Sequence, residues 1–479
     1  MGNALIPVLG GPMGRHARPA GVWFNPLPWA LVAATALFAL LYLRHLPCLQ
    51  RDATQAVDAF VRLCYTDIQT SFVSQGLAAG ESVFGEQTAF APLTAVAVAA
   101  TVWLTSLRGP GAGGASDLQA HLDALPLFFG LTTLLLFAAF LVATVAAVLM
   151  GPDSAGGRYR SWWGLAVAAS PIVLAVGLID WSLLPVGLAM LGLLWFAQRR
   201  VLEAAIVLGL AASAGTMAIA VWLGVAVAVG LRGRRGTVVT FFAASIGTFL
   251  AVHLPLLINR PGTILAHYLA EIDRPSSDGS LLYLLEQMFG FQSREIGGLF
   301  FAVRLLLGGV LIAWLFVTRR RPRVGTLVGI FVLGSVLIAP GFSPQTALWV
   351  LLAVYVARPF AAELWASAAF HAVYAAAIWG WLSGHLTAAR NGPVALYYLA
   401  VLARVAVEVW ILVECLLDAA RPARDPLRTP DLSDPLGGVL VDDERLAPLG
   451  GPPVLPARAD RPVPIAQSGH DGVTSSRGC

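Results

Sequence analysis

Apolar runs follow one another from residue 29 to residue 417, parted by short polar connectors that hold most of the charge. They lie at 29–43, 89–107, 125–150, 162–179 and 181–197, then at 237–258, 296–317, 325–340, 345–357, 361–384 and 396–417. Residues 201–231 are apolar or small throughout and read as a short helical hairpin broken near 213–216. Runs of this length predict spanning helices, because a helix satisfies its own backbone inside a bilayer. Two longer polar stretches, 44–88 and 259–295, interrupt the series. The pattern predicts an all-α, polytopic helical membrane protein with its transmembrane domain over 29–418. A Gly/Pro-rich leader, 1–28, precedes it. A Pro-, Asp- and Arg-rich tail, 419–479, has no apolar periodicity and is expected to be disordered.

Composition supports this reading. The chain is 57% hydrophobic and 12% charged, too little charge to cover a soluble domain of 479 residues. Net charge is +4 and all 31 basic residues are arginine. They fall in short clusters at helix ends, where the positive-inside rule uses them, and no nucleic-acid module is present. The first run follows an Arg-containing leader without a small-x-small cleavage site, so it reads as a retained anchor.

Placing Arg199-Arg200, Arg232–Arg235, Arg319–Arg323, the leader and the tail inside puts the Asp67 loop, Asp180-Trp181, the 259–295 stretch and Ser343–Gln345 outside. Three apolar runs separate Asp67 from Asp180, yet two loops on one side need an even number. Either one run, foremost 89–107, is re-entrant, or a charge cluster breaks the rule. The expectation is about 12 crossings in a plasma membrane, both termini inside, with two long extracytoplasmic loops.

Candidate chemistry gathers in those outer segments. Asp67, in RLCYTDIQTSFVSQGL (62–77), is a carboxylate in an aromatic and polar setting. Arg260, His267, Arg274 and Ser280 populate the second loop, and arginine suits phosphate because its planar fork meets two oxygens at once. Of the four cysteines, Cys48 and Cys64 share the first loop, where an oxidising compartment would allow a disulfide. The eight histidines show no paired ligand spacing, so neither metal nor cofactor is expected. His253 reads as a satisfied helix residue.

CYTDI (64–68) resembles the CYSDI motif of the actinobacterial integral-membrane mannosyltransferases that use polyprenyl-phosphate-mannose, in the glycosyltransferase C superfamily. DRPSSDGSLLYLL (273–285) is similar to that family's Arg-x-x-x-x-Gly-Ser-x-Trp-Tyr loop, and SPQTALW (343–349) to its SPQ-x-x-x-Trp segment. RPARDPLRTPDLSDPLGGVL (421–440) is similar to its C-terminal RP-x-RDP-x-R and DP-x-GGVL elements, and paired cysteines flanking the first loop belong to the same pattern. The chain departs from it at Gln75–Leu77, where the family has Arg-Gly-Leu, and at Phe90–Thr94. It also has Asp180-Trp181-Ser182-Leu183 for Asn-Trp-Asp-Leu, and no hairpin lysine.

The resemblance implies a glycosyltransferase C-like fold that moves mannose or a similar sugar from a polyprenyl-phosphate donor to an envelope glycolipid or glycan. Asp67 would be the catalytic base. Tyr65, Asp180, Trp181, Arg260, His267, Arg274, Ser280 and Gln345 would bind substrate, and Cys48–Cys64 would be the disulfide. Two alternatives are a non-catalytic lipid- or glycan-binding relative and a secondary transporter. The transporter predicts internal repeats and ionisable groups at mid-membrane. No repeat is visible, and Glu203, Arg304, Glu363 and Glu408 are expected near helix ends.

Overall fold

The computed structural model describes Trp23 and residues 25–52, 54, 57–85, 90–107, 117–154, 161–291, 296–428 and 432–436. Most of the expected leader and the tail beyond 436 lie outside the described residues. The described chain is helical, apart from one antiparallel pair of two-residue strands, β1 (Asp153–Ser154) and β2 (Leu432–Ser433).

Helix α1 (Pro26–His45) starts where Asn25 caps the Leu27 amide and a proline takes the first position. After it come α2 (Asp67–Val73), α3 (Pro92–Ser106) and α4 (Leu118–Met150). The run expected over 162–179 is broken into α5 (Leu165–Ala168) and α6 (Pro171–Val176), because Pro171 supplies no amide to continue the ladder. Then follows α7 (Leu183–Ala197). The hairpin forms as expected: α8 (Val201–Ala214) and α9 (Ala218–Arg232) part at 215–217. Helix α10 (Arg235–Asn259) leads into the second polar stretch, which holds α11 (Pro261–Ile272) and α12 (Leu281–Phe289). The chain continues through α13 (Gly297–Thr318), α14 (Val324–Ile338), α15 (Ala347–Ala357), α16 (Ala361–Leu382) and α17 (Val394–Ala420).

Five helices (α1, α4, α10, α13 and α16) are long and apolar enough to cross a membrane, and several shorter apolar helices accompany them. This is the composition of a helical membrane protein. The buried centre is α15, with every residue enclosed, packed against α14, α16 and α7. A helix apolar all round belongs inside a larger body. By contrast α13 turns Leu299, Leu305, Leu306 and Val317 outward, as a lipid-facing helix would.

The two ends of this body differ. Thr216 and Met217 before α9, Val336 in α14 and Gln345 before α15 open on one cavity. At the far ends of the same three helices lie Arg232, Arg323 and Arg358. Arg232 reaches the carbonyls of Arg321 and Pro322, which joins two of the arginine clusters at one end.

This polarity bears on the odd number of runs between the acids. Helix α4 begins at the cavity end, where Gln119 donates to the Arg51 carbonyl at 2.9 Å. It finishes at the arginine end, where Tyr355 Oη donates to the Ala147 carbonyl at 2.6 Å. Segments α5 and α6 return to Asp180. Helix α3 also begins at the cavity, through Thr94.

The expected disorder from Ala419 onward is corrected over 419–428 and 432–436. Arg323, 1% exposed, donates to Asp425 Oδ2 at 2.6 Å, Asp434 Oδ2 at 2.5 Å and the Ala357 carbonyl at 2.5 Å. Asp425-Pro426-Leu427 and Asp434-Pro435-Leu436 repeat one device. In each, Oδ1 accepts the amide two residues on at 3.0 Å while Oδ2 takes Arg323, and the leucine is buried. A buried cation needs such partners, and they pin the tail.

A second correction concerns Glu408. It lies mid-way along α17, fully buried, bonded to Arg404 at 2.6 Å and to His371 of α16 at 3.0 Å. Arg404 also donates to the Gly279 carbonyl at 2.8 Å and lies 3.5 Å over the Phe342 ring. Gly279 has φ +85°, and a Cβ there would stand 1.8 Å from Tyr374 Oη, so only glycine fits.

Replacing Arg323 tests the tail clamp. Arg323→Met leaves two buried carboxylates without their cation and is expected to cost about 3–5 kcal/mol. The readout is a lowered apparent melting temperature in detergent. An unchanged melting curve would show that the tail is held by something else.

Candidate active site

The first loop is tied at its base by a bond between Cys48 and Cys64, whose Cα atoms are 6.1 Å apart. Closing a loop of this size contributes about 3 kcal/mol in the chain-entropy account. Directly after Cys64 the chain is clamped to a distant segment. Thr66 Oγ1 donates to the Leu178 carbonyl at 2.7 Å while capping the Ile68 amide, and the Asp67 amide donates to the Ile179 carbonyl at 2.7 Å. Asp67 is thereby set beside Asp180.

Both carboxylates are half-buried and line a cavity of about 490 Å³. Asp67 Oδ1 accepts from Tyr65 Oη at 2.7 Å; Oδ2 has no protein donor among the described residues. Burial raises the Asp67 pKa above the usual carboxylate range, the Tyr65 bond opposing. Asp180 is more fully engaged, accepting the Ser182 amide at 2.8 Å, Ser182 Oγ at 2.9 Å and the Gln345 side chain. Its pKa is nonetheless pushed up to about 6, by burial first and with the Asp67 charge adding to it. Tyr65 is pushed up to about 12 by burial and the same neighbour, so it stays a donor.

The same cavity is also lined by His267, Glu271, Arg274 and Arg304. Glu271 pairs with Arg274 at 2.7 Å and accepts from Thr216 Oγ1 at 3.2 Å. Arg304, from α13, has no hydrogen-bond or ion-pair partner among the described residues. Trp181 forms part of the wall, with Phe90 edge-on at 5.0 Å.

Of the residues singled out in the sequence, Asp67, Asp180, Trp181, His267, Arg274 and Gln345 thus line one cavity, and Tyr65 stands behind Asp67. Two are corrected. Arg260 is exposed and donates to Ser82 Oγ at 3.1 Å, where it latches α11 to the first loop. Ser280, 3% exposed, caps α12 by accepting the Tyr283 amide at 3.0 Å. His253 is satisfied as expected, by the Phe249 carbonyl and Tyr268 Oη, both at 2.8 Å.

Sequence reading missed Arg304, Glu271 and Gln75 as site residues. Glu271 carried a usable signal, lying one helical turn before Arg274. Arg304 read only as a charge near a helix end, and nothing local says which way it faces.

Asp180 offers a pH test with a definite sign. Its folded pKa of about 6 exceeds the unfolded value of 3.8, so the folded state holds a proton that the unfolded state has lost in that window. Stability from this group is therefore present at low pH and lost as pH rises through 6. Asp180→Asn is expected to melt higher than wild type at pH 8, with the difference closing as pH falls from 6 to 4. A difference independent of pH would contradict this. No family model matches the chain, and no curated protein or solved structure matches it either, so this geometry carries the functional reading.

Proposed function

We propose that the protein is a plasma-membrane glycosyltransferase with a glycosyltransferase C-like fold of about 12 crossings. It transfers mannose or a similar sugar from a polyprenyl-phosphate donor to an envelope glycolipid or glycan on the extracytoplasmic side. Support comes from the cavity's lining: two neighbouring carboxylates, Asp67 and Asp180, and a cation, Arg304, that makes no direct ion pair or hydrogen bond among the described residues. A single displacement at the anomeric carbon needs both. The acceptor hydroxyl gives its proton to a carboxylate as its oxygen bonds to C1. The C1–O bond to phosphate breaks, and the phosphate keeps the electron pair.

Asp67 is the base in this scheme because its Oδ2 is open, whereas both Asp180 oxygens already accept donors. Arg304 and Arg274 hold the phosphate. The wild-type sequence motifs around Asp67, Gly279 and Gln345 resemble those of polyprenyl-phosphate-dependent mannosyltransferases, which agrees with the reading. The transporter alternative would use the mid-helix trio Arg404, Glu408 and His371. Those residues are bonded to one another and to Gly279, away from the cavity, and serve instead as an anchor.

Two substitutions test the scheme on purified protein given a polyprenyl-phosphate sugar. Asp67→Asn keeps the size and most hydrogen bonding, so folding should survive while transfer falls by roughly 10²–10⁴-fold. Near-full activity in Asp67→Asn with a dead Asp180→Asn would move the base to Asp180. Arg304→Gln should weaken polyprenyl-phosphate binding by about 10–100-fold, the scale of a charge-assisted bond. Arg260→Ala, remote from the cavity, should not change it. Equal affinity in Arg304→Gln and wild type would remove the phosphate assignment.

A further inference from the structure

Besides Arg304, two polar atoms on the cavity wall have no partner among the described residues. Trp181 is 4% exposed, lines the cavity, and its Nε1–H meets no acceptor. Gln75, just past the end of α2, lines the same cavity, and its buried Oε1 meets no donor. An unmet buried donor or acceptor costs roughly 1–3 kcal/mol, so both gain from a ligand that supplies the complement.

The two needs are opposite. One wall atom donates and the other accepts, and a hydroxyl does both at once. An ionised phosphate satisfies Trp181 but has no proton for Gln75. Asp67, Ser71 and Gln75 recur at intervals of four, so they fall along one face of α2 and its following turn, and all three line the cavity. This stripe carries a carboxylate, a hydroxyl and an amide, with no cation. Arg274 and Arg304 come from other elements, the end of α11 and α13. Phe90, edge-on to Trp181, adds an apolar surface suited to the C–H face of a sugar ring.

We infer that Gln75 and Trp181 form the acceptor subsite and select an uncharged, hydroxyl-bearing saccharide over a phosphorylated headgroup. The word acceptor rests on the transferase reading; the binding preference does not.

The test uses full-length protein in nanodiscs, with ligand-observed NMR titrations of mannobiose and of a mannobiose phosphate. Wild type is expected to prefer the neutral disaccharide. Gln75→Leu and Trp181→Phe, the latter keeping the ring but losing the N–H, should each weaken it about 10-fold, one lost hydrogen bond. Polyprenyl-phosphate binding, followed by native mass spectrometry, should be unchanged in both variants. Equal or tighter binding of the phosphorylated disaccharide would overturn the inference. So would wild-type affinity in both variants, or no saccharide binding by wild type. Saccharide binding with the expected pattern but no transfer by wild type removes the transferase reading and leaves the subsite. Transfer that is insensitive to Gln75→Leu and Trp181→Phe removes the subsite alone.

Discussion

The candidate site depends on three hydrogen bonds between segments more than a hundred residues apart: Thr66 Oγ1 to the carbonyls of Leu178 and Ile179, and the Asp67 amide to Ile179. Each contributes only about 0.5–1.5 kcal/mol net. Their effect on geometry is larger. They fix the start of α2 against the turn that carries Asp180, and the side chains of the two acids then have no choice but to share one cavity. The Cys48–Cys64 bond limits the loop on the other side of Asp67, so the acid is held from before and after.

A chain with so apolar an exterior has few places to bury a charge, and three of them stand out. At the arginine end, Arg323 and Arg358 are matched by carboxylates of the tail, of α16 and of α17. In mid-body, Arg404 and Glu408 neutralise each other and hold Gly279 in place. At the cavity, Arg304 makes no ion pair or hydrogen bond among the described residues. A half-buried cation without a direct partner is costly, and a ligand anion would offset that cost.

Long-range apolar periodicity made the helical architecture legible, including the break between α8 and α9 and the presence of the acid-bearing loops. Asp67, Asp180 and Gln345 were legible because short motifs name them. The cavity's cationic side was read less well. Arg260 and Arg274 look alike in sequence, and their fates differ because Arg274 follows α11 at the cavity while Arg260 precedes it on the outer surface. Ser280 looked like a phosphate ligand but is spent on a helix cap. The tail read as disordered because its burial is polar: two Asp-Pro-Leu turns around one arginine leave no hydrophobic period to detect.

The arrangement also states how charge must move in the proposed reaction. Arg274 is offset by Glu271, so Arg304 is the net positive charge facing a phosphodiester donor, which carries one negative charge. As the acceptor attacks, Asp67 gains a proton and loses its charge, while the departing phosphate gains one. One negative charge is thereby transferred from beside Asp180, whose demand for a proton the Asp67 charge raises, to the neighbourhood of Arg304. The fixed charges of this cavity lower the cost of both halves of that movement. The acid pair is relieved of a like-charge contact, and the cation meets the charge it lacked, so the fixed groups favour the transition state more than the bound donor.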